Sequence, residues 1–281
     1  MQSSKLRVYL EKERFDLILF THFFPAEVCA TAKRKGKINA TLLTIVTDVI
    51  PHAVWINPGT DYYWVMAEES VQKLVKNGVR ENQIHPNGIP ISREFMTTNN
   101  RAVLEKRFGL KPNRLSILFT SGSFGIGPTE KVLHSFADLR DHIQVLVVCG
   151  NNRDLYETLN RKQFPFPVIL FGFVNNMHEI MSASDLLIAK PGGATTCESL
   201  AKKLPMIILE PIPGQESYNA EWLKKRGAAS QIGKPNEIKN LVQQIIQNPK
   251  LLTSVKEAID KIAKPRAASD LADFILEQLK K

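Results

Sequence analysis

A strand that breaks at Pro-Gly-Gly and restarts as a helix leaves a chain few ways to fold. Residues 185–189 read Asp-Leu-Leu-Ile-Ala, and Lys-Pro-Gly-Gly-Ala-Thr-Thr-Cys-Glu follows through Glu198. The apolar run predicts a buried strand. Pro191, Gly192 and Gly193 interrupt helix and strand alike. From Thr195 to Leu204 the pattern predicts a helix, with Thr195 and Glu198 spaced as a capping box. A helix start carries unpaired backbone N–H groups and the positive end of the dipole, which together suit a phosphate. A second apolar strand at 206–209 runs into a second polar loop, residues 211–219, Pro-Ile-Pro-Gly-Gln-Glu-Ser-Tyr-Asn. Either stretch alone reads as a turn and a cap. Two such loops, each leaving a strand at one edge of a parallel sheet, make a ligand crevice.

The rest of the chain alternates in the same way. Strands are expected at 15–20, 42–46 and 62–66, and again at 116–120, 145–148, 168–171, 186–189 and 206–209. Helical patterns lie between them, including 26–35, 70–76 and 129–140, and three close the chain at 236–247, 251–262 and 269–279. Alternation of this kind predicts α/β units with parallel sheets. The polar stretch 96–114 predicts a boundary, giving domains at 1–97 and 98–281. The first domain opens in mid-pattern, with no strand and glycine turn ahead of Phe15. It is therefore expected to be incomplete, and to be completed by a missing N-terminal segment or a partner chain.

A further glycine turn, Ser-Gly-Ser-Phe-Gly-Ile-Gly-Pro at 121–128, follows a predicted strand. Its order, G-x-x-G-x-G, is not the dinucleotide fingerprint, and no Walker lysine follows, so hydride transfer and P-loop ATP hydrolysis are disfavoured. Glycines that let the backbone approach a ligand closely favour phosphate contact.

Lys and Arg number 37 against 28 Asp and Glu, a net charge of +9. That balance favours an anionic partner: a nucleotide sugar, an anionic membrane surface or nucleic acid. The positive charge is dispersed and lacks interleaved aromatics, which disfavours nucleic acid. The densest cluster, Lys33-Arg34-Lys35-x-Lys37, reads as a solvated helix end or as a contact with acidic headgroups, at ~1 kcal/mol per residue. The three cysteines, Cys29, Cys149 and Cys197, lack metal-ligand spacing, and this usage fits a reducing compartment. No apolar run approaches the ~20 residues of a membrane span, so a membrane role is expected to be peripheral. The charged N-terminus does not read as a signal peptide.

Several stretches together resemble the monogalactosyldiacylglycerol synthase and processive diacylglycerol β-glucosyltransferase family, of glycosyltransferase family 28 type. They are 190–198, 204–219, Phe171-Gly172-Phe173 and the turn at Gly122. In the first domain Thr47-Asp48, His52, Trp55, Asp61 and Gly88-Ile89-Pro90 through Phe95 add to it. The resemblance implies the GT-B architecture, α/β with two Rossmann-like domains, here with the N-terminal one shortened. It implies an inverting transferase moving a hexose from UDP-glucose or UDP-galactose to diacylglycerol or a related lipid, at the cytoplasmic membrane face. It assigns Glu198 to the ribose hydroxyls, backbone near Phe173 to the uracil, and Gly122, Ser123 and the amides from Gly192 and Gly193 through Ala194 and Thr195 to the diphosphate. Gln215, Glu216 and Asn219 would face the donor sugar. No Asp-x-Asp metal motif is present, and neither metal nor cofactor is expected. His22 and Asp48, each just past a predicted strand, are the candidates for general base, with His52 a weaker third; capping a turn competes for Asp48, and a hydrogen bond to backbone competes for His22. The shortened first domain keeps a non-catalytic or partner-dependent UDP-sugar-binding module open as an alternative. So is a UDP-N-acetylglucosamine-using transferase or epimerase of the same architecture, although the Pro-Gly-Gln-Glu loop counts against it.

Overall fold

The computed structural model describes residues 2–120, 128–209, 211 and 213–280. In chain order the helices and strands are α1 (Gln2–Lys12), β1 (Leu17–Phe20), α2 (Phe23–Arg34), β2 (Thr41–Ile45), β3 (Tyr62–Trp64), α3 (Glu68–Lys76), β4 (Ile84–His85), α4 (Arg101–Phe108), β5 (Leu115–Thr120), α5 (Thr129–Ser135), β6 (Ile143–Val148), α6 (Arg153–Asn160), β7 (Val168–Phe171) and α7 (Met177–Ser182). There follow β8 (Leu186–Ala189), α8 (Gly193–Ala201), β9 (Met206–Ile208), α9 (Gln215–Lys225), β10 (Ala229–Gln231), α10 (Pro235–Gln247), α11 (Lys250–Asp260) and α12 (Ala267–Gln278). The chain divides into two compact units, Met1–Ser92 with Lys264–Lys281, and Arg93–Ala263.

The first unit holds a four-stranded parallel sheet in the order β1-β2-β3-β4. Its strands read as short apolar runs because both faces are covered. On one side Leu42 packs with Ala26, Cys29 and Ala30 of α2. On the other Leu43, Ile45 and Trp64 meet Leu271, with Phe274 and Ile275 of α12 beside them. The Tyr62 hydroxyl also donates to Gln278 Oε1 at 3.0 Å. The last helix therefore belongs to this unit, and the expected division at 97/98 is corrected twice. The break falls between Ser92 and Arg93, and the chain returns at Lys264. An amphipathic helix advertises an apolar face but not the sheet it will cover.

The second unit holds six parallel strands in the order β10-β9-β8-β5-β6-β7. Its core joins Ile117, Phe119, Val145, Val147, Ile188 and Ile207 to Val132, Leu133 and Phe136 of the β5–β6 connection and to Ile238 and Val242 of α10. Asp185, ahead of β8, accepts both guanidinium arms of Arg101 at 2.6 and 2.9 Å and the Ser116 N–H at 2.9 Å. It thereby locks α4 to the start of two central strands, and the paired carboxylate holds the Arg101 pKa above its usual range. Local chemistry explains where helices stop and start: Asn100 accepts from the first turn of α4, and Gly109 closes it in the left-handed region. Three expectations shift. α2 begins at Phe23 rather than 26, because Pro25 is tolerated in a first turn and His22 caps it. α5 ends at Ser135, short of 140, and a single 3-10 turn replaces its last part. β10 is short and half-exposed, so no apolar run announces it; pairing with β9 makes it a strand.

Candidate functional site

Strand register places the site. In the second sheet Thr120 pairs with both Val148 and Ala189, Val148 with Phe171, and Ala189 with Ile208. Five strand ends thus form one row, and the loops that follow all leave the same rim. From β5 the chain first builds β6 and β7 on one side, then β8, β9 and β10 on the other. The strand order reverses between β5 and β8, the place where open α/β sheets bind ligands.

A pocket of about 250 Å³ opens at this rim, lined by Thr120, Val148, Gly150, Phe173, Val174, Met177, Met181, Ala194, Thr195 and Glu198. Phe173 stands at 67% exposure. Glu198 is half-buried, and burial raises its carboxyl pKa above the usual glutamate value. Among the described residues no hydrogen-bond or ion-pair partner compensates it. A desolvated carboxylate without a partner is costly to a fold, and one facing a pocket marks a functional candidate.

The helix that carries Glu198 begins earlier than its sequence suggests. α8 starts at Gly193, with Gly192 as an extended N-cap and no side-chain cap. The expected Thr195–Glu198 capping box is therefore not formed. Glycines at the cap and first position let the helix start as soon as Pro191 is passed. Thr195 falls inside the first turn, and Glu198 is left to the pocket. The N–H groups of Gly193, Ala194 and Thr195 have no acceptor among the described residues, as expected for a helix start. They and the dipole present a positive end to the rim.

The second expected loop is also shorter than predicted. Gly214 adopts φ +105°, and α9 begins at once with Gln215. Gln215, Glu216 and Asn219 thus lie on a helix rather than a loop. Gln215 is exposed and Glu216 half-buried, and neither lines the 250 Å³ pocket. Asn219 is 2% exposed and its Nδ2 donates to the Pro191 carbonyl at 2.9 Å. Gly122 and Ser123 lie outside the described residues.

In the first unit His22 and Asp48 follow β1 and β2, whose ends are in register at Phe20 and Thr44. They therefore share the C-terminal rim of that sheet. His22 is exposed, and its Nδ1 accepts the Phe24 N–H at 3.2 Å. That bond puts the proton of a neutral ring on Nε2. Asp48 is 6% exposed and accepts the indole N–H of Trp55 at 2.6 Å. His52 Nδ1 accepts the Val54 N–H at 3.3 Å. Each candidate base thus also holds local structure.

Residues 116–272, which carry the pocket, match the family described as the glycosyltransferase family 28 C-terminal domain. The chain belongs to glycosyltransferase family 28. Residues 1–91 match the monogalactosyldiacylglycerol (MGDG) synthase family. A processive diacylglycerol beta-glucosyltransferase of Bacillus thuringiensis (strain Al Hakam) is 32% identical over 277 residues, 98% of this chain and 71% of that protein. Among solved structures, Acinetobacter baumannii MurG aligns with TM-score 0.71 at 16% identity, covering 98% of this chain and 77% of MurG. Anabaena Alr3699/HepE, solved in complex with UDP, aligns with TM-score 0.66 at 12% identity, covering 98% and 82%. The two parallel sheets are those of the GT-B architecture.

The family 28 pocket includes residues that sequence reading missed. Thr120 and Val148 are strand ends, recognisable only once register is known. Gly150, at φ +59°, makes the turn after β6, and Cys149-Gly150-Asn151 was its one sequence signal. Met177 and Met181 share a face of α7 at i, i+4 spacing, which also fits an ordinary core stripe.

Proposed function

We propose that this glycosyltransferase moves a hexose from UDP-glucose or UDP-galactose to diacylglycerol or a related lipid, with inversion at the anomeric carbon. One observation carries the donor half of the reading: a half-buried carboxylate, Glu198, with no partner among the described residues, shares a pocket with the amide-bearing first turn of α8. The carboxylate suits two vicinal ribose hydroxyls, and the amides suit the diphosphate. Backbone near Phe173 borders the pocket where a uracil edge would be read. Gln215 and Glu216, at the start of α9, are assigned to the sugar. The names of the curated relatives supply the acceptor class.

The acceptor hydroxyl oxygen attacks the anomeric carbon as the bond to the UDP oxygen breaks. An α-linked donor gives a β-glycoside, and UDP departs with the bonding pair. Negative charge grows on the leaving diphosphate, and the fixed amides and dipole of α8 stabilise it without reorganising. The acceptor proton passes to a general base, for which Asp48 and His22 are the candidates. The lipid acceptor and the net charge of +9 point to peripheral work at an anionic, cytoplasmic membrane face; no helix among the described residues is long and apolar enough to cross a membrane.

UDP release from UDP-glucose and UDP-galactose, measured with diacylglycerol in anionic vesicles, tests the reading. Acceptor-dependent release is expected with one donor or both. UDP binding without release under any acceptor would leave a sugar-nucleotide-binding module instead. In the active protein Asp48→Asn and His22→Phe are compared. The variant lacking the base is expected to lose roughly 10²- to 10⁴-fold in kcat with UDP affinity unchanged. Equal, small losses from both would remove both from that role.

A further inference from the structure

We infer that Asn219 is a positioning residue: it sets the peptide between Pro191 and Gly192 so that the rim amides face the diphosphate, rather than touching the donor sugar itself. The inference rests on the donor-site reading above and deepens it. Asn219 lies on α9 beyond the second loop, yet its amide reaches back across 28 residues to the Pro191 carbonyl at 2.9 Å. At 2% exposure it has almost no surface to offer a ligand.

The geometry of a trans peptide gives that contact its consequence. Its C=O and N–H point in opposite directions, so a hydrogen bond that draws the Pro191 carbonyl toward α9 turns the Gly192 N–H the other way. Pro191 has its φ fixed by its ring, but its ψ is free. Gly192 and Gly193 impose almost no steric limit, and a side chain at Gly192 would meet nothing within 4 Å. Among the described residues no local steric limit therefore holds this peptide plane. The next peptide plane is tied on the far side, where the Gly192 carbonyl accepts the Thr196 N–H at 2.8 Å and begins α8. One plane is pinned by Asn219 and the next by the helix. The first loop and α9, 28 residues apart at this contact, are thus joined by a buried amide, and α9 fixes how the first turn of α8 is approached.

The test separates phosphate from nucleoside and from sugar. Asn219→Ala and Asn219→Leu, the latter close to asparagine in shape but without a donor, are titrated with uridine, UDP and UDP-glucose. Wild type and variants are compared, with the melting midpoint recorded for each. Both variants are expected to bind UDP about tenfold more weakly, the usual effect of one lost hydrogen bond, with uridine affinity unchanged. Hydrogen exchange at the Thr196 amide, bonded to the Gly192 carbonyl, should accelerate in the ligand-free variants. Unchanged UDP affinity with weakened UDP-glucose would make Asn219 a sugar contact and overturn the inference. Equal weakening of uridine and UDP would reduce Asn219 to general support of the fold and overturn it too. Failure of the wild type to bind UDP at all would overturn the donor-site reading, and this inference with it.

Discussion

Replacing Glu198 with alanine is expected to weaken UDP binding roughly 100-fold, about 3 kcal/mol, the scale of two hydrogen bonds to a charged acceptor. Isothermal titration with UDP reads this directly. The same substitution is expected to raise the melting midpoint of the ligand-free protein. Burial holds the Glu198 carboxyl above its ordinary pKa, and no partner among the described residues offsets the cost. The sign follows from proton counting. Between the ordinary glutamate pKa and the raised one, the native state binds more protons than the unfolded state, so this group's contribution to stability falls as pH rises. Above the raised pKa the full cost is present, and alanine removes it. Binding has the opposite slope. Ribose hydroxyls donate to a carboxylate, so UDP affinity is expected to rise as pH passes through the raised pKa and to flatten above it. In Glu198→Ala this pH dependence should vanish. A variant that binds UDP normally, or that keeps the wild-type pH profile, would detach Glu198 from the nucleotide.

That opposition between stability and binding also shows what a sequence can reveal and what it hides. The glycine turns after apolar runs were legible because a parallel sheet forces every strand end to one rim, and Thr120, Ala189 and Ile208 do fall in one row. The helix after Pro-Gly-Gly was legible too, but its first residue was not. Thr195 and Glu198 have the spacing of a cap, and the true N-cap, Gly192, has no side chain to signal it. The carboxylate that looked locally employed is the one left without a partner among the described residues. Asn219 misleads in the reverse direction: a polar residue near a loop reads as exposed, and only the tertiary contact with Pro191 buries it. Met177 and Met181 were invisible for a third reason, since an apolar i, i+4 pair is the same pattern whether it lines a pocket or a core.

The same limit hid the destination of the last helix, and one glycine tests it. Gly88 has φ +97°, and a Cβ built there would sit 2.4 Å from the Lys264 Cβ and 3.1 Å from the Ala267 Cβ. Its N–H donates to the Val65 carbonyl at 3.0 Å, so the loop after β4 cannot simply swing aside. Gly88→Ala therefore adds two costs: a strained backbone, and a methyl group where α12 enters. Together they are expected to remove about 2–4 kcal/mol from the first unit. Gly78→Ala separates them, because Gly78 has φ +90° but nothing within 4 Å of an added Cβ. It should cost only the backbone part, roughly 1 kcal/mol. Hydrogen exchange by segment is the suitable measurement, since two units need not unfold as one. In Gly88→Ala, protection should fall in α12 and in β2 and β3 beneath it, with the core of the second unit unchanged. If the two alanines cost the same, the close approach of Lys264 does not hold in solution. If protection in α12 instead follows the second unit, residues 267–278 pack where the sequence first suggested, and the assignment of that helix to the first sheet fails.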